Sequence, residues 1–349
     1  MTGKPIHLYG IVMIVMGVLL LAACSEEAPA SSPTRQPTRT RVPTRTPDMS
    51  ATMTAQAATE TYLQMATQTT HTPTPPPDLS GQILFYSYRN DPGDIYVMDS
   101  DGSNVQRLTS DTSQEFDASW SPDGSQIVFA TSRDANRDGN TEIYVMDADG
   151  SNVRRLTQNT TKDSNPVWSP DGTQIAFEVE DVNTFIKDIY VMEADGSNPR
   201  NLTQTSSMEG SPAWSPDGSQ IAYRASQGAG DEIYVMNADG SNPRNLTNHP
   251  ANDSAPSWSP DGSQIVFESF RDGNGDLYVM NADGSEQRNL TESEAFEMVP
   301  AWSSDGTQIA YVAYSADNTA QIWVMDADGS NQHRISQTVV DDWSPVWHP

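Results

Sequence analysis

Six acidic residues each stand five positions ahead of a tryptophan: Glu115, Asp163, Glu209, Asp253, Glu297 and Asp342. Carboxylates gathered in a ring at a channel mouth can hold a cation, or repel one another and raise some of their pKa values. An acid repeated in every structural unit can equally do a unit-by-unit job, bonding backbone N–H groups ahead of a strand. Both readings are open on sequence. A second oxygen-rich run is Asp134, Asn136, Asp138, Asn140 and Glu142, with Gly139 inside it. Oxygens on alternate residues around a sharp glycine turn suit one hard cation, so Ca2+ is the one possible cofactor, and none is required. Val145 stands where an EF-hand would place its last carboxylate. The run also reads as an ordinary turn of the Arg271-Asp272-Gly273-Asn274 kind, lengthened by four residues.

Other chemistry is poorly represented. There is one cysteine, Cys24, so neither an intrachain disulfide nor a thiolate metal cluster can form. The chain has no Gly-x-Ser-x-Gly elbow, no His-Glu-x-x-His pair and no Walker loop. His249, His333 and His348 stand at non-equivalent places. The 47 acidic residues against 19 basic ones leave a net charge of −28, which argues against nucleic-acid binding.

Composition divides the 349 residues into three parts. Lys4 precedes an apolar run at residues 11–23, too short to span a bilayer and suited to a signal-peptide core. The run ends in Leu21-Ala22-Ala23-Cys24, which resembles the lipobox of bacterial lipoproteins. The resemblance implies cleavage before Cys24 and a diacylglycerol thioether on its sulfur; the alternative is a plain secretory signal. Residues 25–80 hold 14 Thr and nine Pro in 56 positions. Such a segment cannot bury enough apolar surface to offset chain entropy, so residues 24–80 read as a lipidated, disordered tether.

Residues 81–349 are repetitive, and the repeat settles the fold. Ile-Tyr-Val-Met or a close variant recurs at Tyr96, Tyr144, Tyr190, Tyr234, Tyr278 and Trp323. Trp-Ser-Pro-Asp-Gly recurs at Trp120, Trp168, Trp214 and Trp258, with Ser304 replacing proline in the copy at Trp302. Each repeat reads as four short strands, A to D. Asp-Gly turns join A to B and C to D, because hairpin turns need the positive φ that glycine adopts cheaply. Strand C is apolar on both faces, so each sheet is sandwiched between neighbours. The pattern predicts an all-β, six-bladed β-propeller of four-stranded antiparallel blades. Strands B, C and D precede the first tryptophan motif, and their strand A arrives only at Trp347. The ring should therefore close by one C-terminal strand pairing with three N-terminal ones.

The Pro-x-Trp-Ser-Pro-Asp-Gly, Ile-Tyr-Val-Met-x-Ala-Asp-Gly and Leu-Thr motifs resemble the WD-repeat-like propeller repeats of the TolB family. The calcium candidate resembles the calcium loops of integrin-type propellers. Some TolB-like propellers are sugar lyases with a histidine-bound metal, and this chain lacks such a histidine set.

Function should sit where the repeats differ. The D–A and B–C connections vary and share one face. Phe116, Met208, His249, Phe296, Met298 and Trp343 are placed there, and apolar residues among acids suit a protein or peptide partner. The same residues could instead plug the channel or pack under loops. The sequence reading is a monomeric, extracytoplasmic, lipid-anchored module binding a protein, a peptide or an envelope polymer, without catalysis. The competing class is a hydrolase or lyase acting on a peptide or saccharide at the channel mouth.

Overall fold

The computed structural model describes residues 81–134, 140–228 and 230–349. The segments predicted as signal peptide and tether, with Cys24, lie outside the described residues, as do Asn136 and Asp138. Blade 1 contains β1 (Gln82–Ser87), β2 (Asp94–Asp99) and β3 (Gln106–Arg107). Blade 2 is β4 (Glu115–Trp120), β5 (Gln126–Thr131), β6 (Glu142–Asp147) and β7 (Arg154–Arg155). Blade 3 is β8 (Lys162–Trp168), β9 (Gln174–Glu180), β10 (Lys187–Glu193) and β11 (Arg200–Asn201). Blade 4 is β12 (Glu209–Trp214), β13 (Gln220–Ser226), β14 (Asp231–Asn237) and β15 (Arg244–Asn245). Blade 5 is β16 (Asp253–Trp258), β17 (Gln264–Ser269), β18 (Asp276–Asn281) and β19 (Arg288–Asn289). Blade 6 is β20 (Glu297–Trp302), β21 (Gln308–Tyr314), β22 (Ala320–Asp326) and β23 (His333–Arg334). The last strand, β24 (Asp342–Trp347), pairs with β1 and completes blade 1 in the order β24-β1-β2-β3.

The innermost strands touch in cyclic order β24, β4, β8, β12, β16, β20 and back to β24, so the six sheets form a closed ring. The core follows from the double-faced strands. Each of six apolar clusters joins two neighbouring blades; Ile83, Phe85 and Met98 of blade 1, for example, pack on Ile322, Val324 and Ile335 of blade 6. Full burial of such side chains stabilises by about 1.5–3 kcal/mol each, so the ring is held edge to edge by apolar contact.

The Asp-Gly turns behave as their chemistry requires. Gly124 takes φ +67°, and Asp123 Oδ1 accepts from Ser121 Oγ at 2.7 Å, Ser125 N at 3.0 Å and Ser125 Oγ at 2.8 Å. Equivalent bonds, led by those from Ser215 and Ser259, hold Asp217 and Asp261 down to about 2. The C–D glycines have a second role. A Cβ on Gly150 would lie 2.4 Å from the Leu108 carbonyl oxygen of the preceding blade, so only glycine lets the turn seat there.

Two strand boundaries bear on the site. Strand D is only two residues in every blade, because beyond it the chain turns to deliver a Thr or Ser hydroxyl to strand C, as Thr157 Oγ1 does to Ile143 N at 2.9 Å. Strand A begins earlier than expected and takes in the six repeated acids, together with Phe116, Met298 and Trp343. These residues are strand residues, not loop residues.

Candidate functional site at the channel mouth

Strand A lines the centre of the ring. In every blade it is interrupted by a bulge whose residue is left-handed: Asp117, Asn165, Ser211, Ala255, Val299 and Ser344, with φ between 48° and 53°. None is glycine, and a β-branched Val299 in this region is a true conformational outlier. These six residues line a central cavity of about 370 Å³, whose wall continues through Pro166, Pro212, Pro256, Pro300 and Pro345 to Trp168, Trp214 and Trp258.

The six repeated acids do not line this cavity. Their side chains are buried inside the blades, at 0–2% exposure. Glu115 is bonded by Thr131 Oγ1 and Arg133 Nη2, each at 3.1 Å; Asp253 by Arg271 Nη2 at 3.0 Å; Asp342 by Arg89 Nη2 at 2.9 Å. Asp163 takes Asn159 Nδ2 at 2.7 Å and Thr161 Oγ1 at 2.9 Å. Glu209 takes Thr205 Oγ1 at 2.5 Å, and Glu297 takes Ser293 Oγ. The geometry is that of a per-blade device, not a channel-mouth ring, although its partners are side chains rather than the backbone N–H groups expected. Burial pushes Glu297 up to about 7 and Asp163 up to about 6.

The calcium candidate is described in part. Arg155 bridges its two described acids, with Nη1 2.8 Å from Asp134 Oδ2 and Nη2 2.7 Å from Glu142 Oε1. Asn140 Nδ2 donates to the carbonyls of Asn159 at 2.8 Å and Thr161 at 2.6 Å, while its Oδ1 is buried with no hydrogen bond among the described residues. A cation here would have to displace a guanidinium from both carboxylates. Among the described residues no group of three or more His, Cys, Asp or Glu is placed to hold a metal ion.

The proposed binding-face residues separate into four kinds. Phe116 packs against the apolar cluster between blades 2 and 3. His249 is built into its loop: its N–H donates to Glu232 Oε2 at 2.9 Å and its Nδ1 accepts from Ala251 N at 3.2 Å. Phe296 and Trp343 belong to an aromatic chain in which Phe270–Phe296, Phe296–Tyr314 and Tyr314–Trp343 centroids are 5.3, 5.9 and 5.8 Å apart. Met298 is partly buried in the same region of blade 6, and Met208 is exposed. Among the described residues, five of the seven exposed large apolar side chains lie on D–A or B–C loops: Tyr88, Val182, Phe185, Met208 and Val339.

The residues that sequence reasoning missed lie where strand A meets strand B beside the bulge. The same register pairs Phe116 with Ala130, Ser164 with Glu178, Gly210 with Arg224, Ser254 with Glu268, Met298 with Val312 and Trp343 with Tyr86. Blades 6, 1 and 2 thus present an apolar arc, and blades 3, 4 and 5 a charged one. In the charged arc, Glu178 is bonded by Lys187 Nζ at 3.0 Å, Asn165 Nδ2 at 2.7 Å and Ser211 N at 2.7 Å. Arg224 Nη1 reaches Asp231 Oδ2 at 2.7 Å. Burial, then the Glu178 charge, pushes Asp117 up to about 7, and burial does the same to Glu268. A signal was present: Glu178, Arg224 and Glu268 each directly follow the aromatic of strand B, where blades 2 and 6 carry Ala130 and Val312.

Fold and channel define a six-bladed β-propeller with a central cavity. The TolB beta propeller domain family matches residues 169–247 and 187–349, and the chain belongs to that family. The tricorn protease N-terminal beta propeller domain matches residues 75–185. No curated protein matches the chain. Among solved structures, TolB from Acinetobacter baumannii is similar at TM-score 0.68 and 19% identity, over 78% of this chain and 67% of that one. An oligogalacturonate lyase in complex with manganese is similar at TM-score 0.54 and 19% identity, over 74% of each chain. A chain of a nidogen/laminin complex is similar at TM-score 0.61 and 13% identity, over 77% of this chain and 98% of that one. At these identities the likeness is one of fold.

Proposed function

We propose that this protein is an extracytoplasmic, lipid-anchored binding module whose loop face captures a protein or peptide of the cell envelope. The observation that carries the reading is the placement of Tyr88, Val182, Phe185, Met208 and Val339 on the one face where the repeats vary. Apolar side chains left in water on variable loops, around a channel mouth, are what a partner would cover. Membership of the TolB propeller family supports the same class of function. The lipid on Cys24 would hold the chain at the membrane and residues 25–80 would extend the propeller from it.

Capture of partners from native envelopes tests the face. The full chain should retain a specific protein that the Phe185→Ala/Met208→Ala/Val339→Ala variant loses. Equal capture by both removes the face from consideration. Cys24→Ala should release the chain from the membrane fraction; continued membrane retention would refute the lipid anchor.

One observation favours a hydrolase or lyase as second reading: Asp117 and Glu268 are held near 7, in the range of a general acid or base. Turnover of peptides or acidic oligosaccharides that disappears in Asp117→Asn would establish it.

A further inference from the structure

Blade 3 lacks a side chain that blades 1, 2 and 5 possess. Ser87, Thr131 and Ser269 pair with the strand A acids of those blades, and two residues after them stand Arg89, Arg133 and Arg271. Val179 pairs with Asp163 in the same way, and two residues after it stands Asp181.

Blade 5 shows how the space is filled. Arg271 lies over Phe267 and Tyr278, 5.5 and 4.5 Å from the ring centroids. It donates to Asp253 Oδ2 at 3.0 Å and to Gln287 Oε1 at 2.7 Å. Gln287 Nε2 in turn donates to the carbonyls of Leu246 and Gly284, each at 3.0 Å. In blade 3 the places of Arg271 and Gln287 are taken by Asp181 and Pro199. What remains is a cavity of about 410 Å³, lined by Phe177, Tyr190, Leu156, Gly196 and Pro199, the counterparts of Phe267, Tyr278, Leu246, Gly284 and Gln287. Its two rings have centroids 5.9 Å apart. The matching cleft between blades 6 and 1 is lined by Arg89 itself, which lies over Phe85 and Tyr96.

The acceptors of blade 5 persist around the blade 3 cavity. Asn159 and Thr161 line it and hold Asp163 at 2.7 and 2.9 Å. Asp163 is fully buried and has no ion pair among the described residues; the charge acting on it is that of Glu142, which repels. The carbonyl oxygens of Leu156 and Gly196 accept no hydrogen bond among the described residues. Nearby basic groups are already paired: Lys162 with Glu180, Lys187 with Glu178, and Arg155 with Asp134 and Glu142. A second cavity of about 240 Å³ shares Thr161, Val179 and Tyr190 with the first, and Asp181 and Asp188 line it too. Access to the rings is therefore acidic. A guanidinium fits such a place better than an ammonium. It is planar, weakly hydrated, stacks on aromatic faces and carries five donors.

We infer that the blade 3 cleft receives one arginine side chain of a partner protein, in the place that Arg271 holds in blade 5. The inference rests on the loop face being a protein-binding surface, and it names the residue type that the face selects. Val182 and Phe185, exposed on the loop beside the cleft, cover the partner's neighbouring residues. The guanidinium brings Asp163 the cation that its own blade omits.

The test is to pan a random dodecapeptide phage library on the full chain. Asp181→Arg and Pro199→Gln, which restore the blade 5 residues, serve as filled-cleft controls after matched melting curves show that they fold. If Asp181→Arg does not fold, the neutral surface change Pro199→Gln stands alone. Peptides selected on the wild-type chain should be enriched in Arg over Lys. Their synthetic forms should bind the filled variants at least tenfold more weakly. Replacing the arginine by citrulline, which keeps the shape and removes the charge, should cost a similar factor. Two results would overturn the cleft and leave the binding face standing. One is peptides without arginine enrichment that lose binding on Phe185→Ala/Met208→Ala/Val339→Ala. The other is arginine peptides that bind the filled variants as tightly as the wild type. Arginine peptides recovered only on Arg35→Gln/Arg39→Gln/Arg41→Gln/Arg45→Gln would make the occupant a segment of this chain and overturn the partner. A selection that yields no binding peptide on either chain would overturn both cleft and face.

Discussion

Three blades clamp their strand A acid with an arginine and three do not. In blades 1, 2 and 5 the B–C loop supplies Arg89, Arg133 and Arg271, which reach Asp342, Glu115 and Asp253 at 2.9, 3.1 and 3.0 Å. Each guanidinium also lies over its blade's strand B and strand C rings, as Arg271 does at 5.5 Å from Phe267 and 4.5 Å from Tyr278. Blades 3, 4 and 6 leave Asp163, Glu209 and Glu297 to hydroxyl and amide donors. Position and burial are shared, but the electrostatic solution is not. Burial raises the carboxyls of both kinds; the charges of Arg133 and Arg271 oppose it at Glu115 and Asp253, whereas side-chain hydrogen bonds without a cation oppose it at Asp163 and Glu297. The comparison teaches that the repeat fixes an acid's place while the variable loop decides whether a cation opposes its burial.

The largest effect should come from removing one whole side of a clamped blade. Deleting residues 343–349 takes away most of β24 and with it Trp347, which is buried against blade 6. The loss should be on the order of 5 kcal/mol or more, enough to unfold a marginal domain; an unchanged melting midpoint would refute closure by β24. Next, Arg271→Ala leaves the fully buried Asp253 without its cation. Urea unfolding at pH 7 should show a loss of about 3–5 kcal/mol. Thr205→Ala, the matching change in unclamped blade 4, should cost about 1 kcal/mol, and equal costs would erase the distinction.

The unclamped acids also predict a pH dependence of definite sign. Glu297 rises from 4.5 to about 7 on folding, so the folded state binds the extra proton. Its contribution is complete below about 4.5 and is lost as pH rises through 7. Glu297→Gln should therefore flatten the stability profile between pH 5 and 8, gaining about 1–2 kcal/mol at the upper end. A variant profile parallel to the wild type would show that Glu297 is ionised throughout. The smallest effect concerns the bulge that all blades share. Ala255 is left-handed at φ 49°, so Ala255→Gly should raise stability by about 0.5–1 kcal/mol. A lower melting temperature would mean that the methyl group's packing outweighs the backbone strain.

Much of the molecule was legible along the chain. Spacing of the Trp-Ser-Pro-Asp-Gly and Ile-Tyr-Val-Met strings gave six units, and the motif left over at Trp347 gave the closure. The turn aspartates were legible because their partners lie two residues away, as Ser121 and Ser125 do from Asp123. Phe296 and Trp343 were read as binding-face candidates because they interrupt acidic segments, and the structure places both in one aromatic chain. Phe116 fits the same description, yet it packs against the cluster between two blades. Arg155 is a parallel case: nothing local says that a strand D arginine will bridge Asp134 and Glu142.

Sequence by itself determined the periodic part of this protein: the four-stranded unit, the glycine turns, the doubly apolar strands, their number and the way the ring closes. These depend on contacts within a few residues or on exact repetition, which a one-dimensional pattern records. Tertiary structure alone decided which side chains meet at the axis. Strand A bends through its bulge, so Asp117, Asn165 and Ser211 turn to the cavity while the acids two residues earlier turn into the blades. The division of the mouth into an aromatic arc and a charged one arises because residues from six blades, some 45 positions apart in the chain, are brought to one level around the axis by strand register. That juxtaposition is set by ring closure, and no local propensity encodes it.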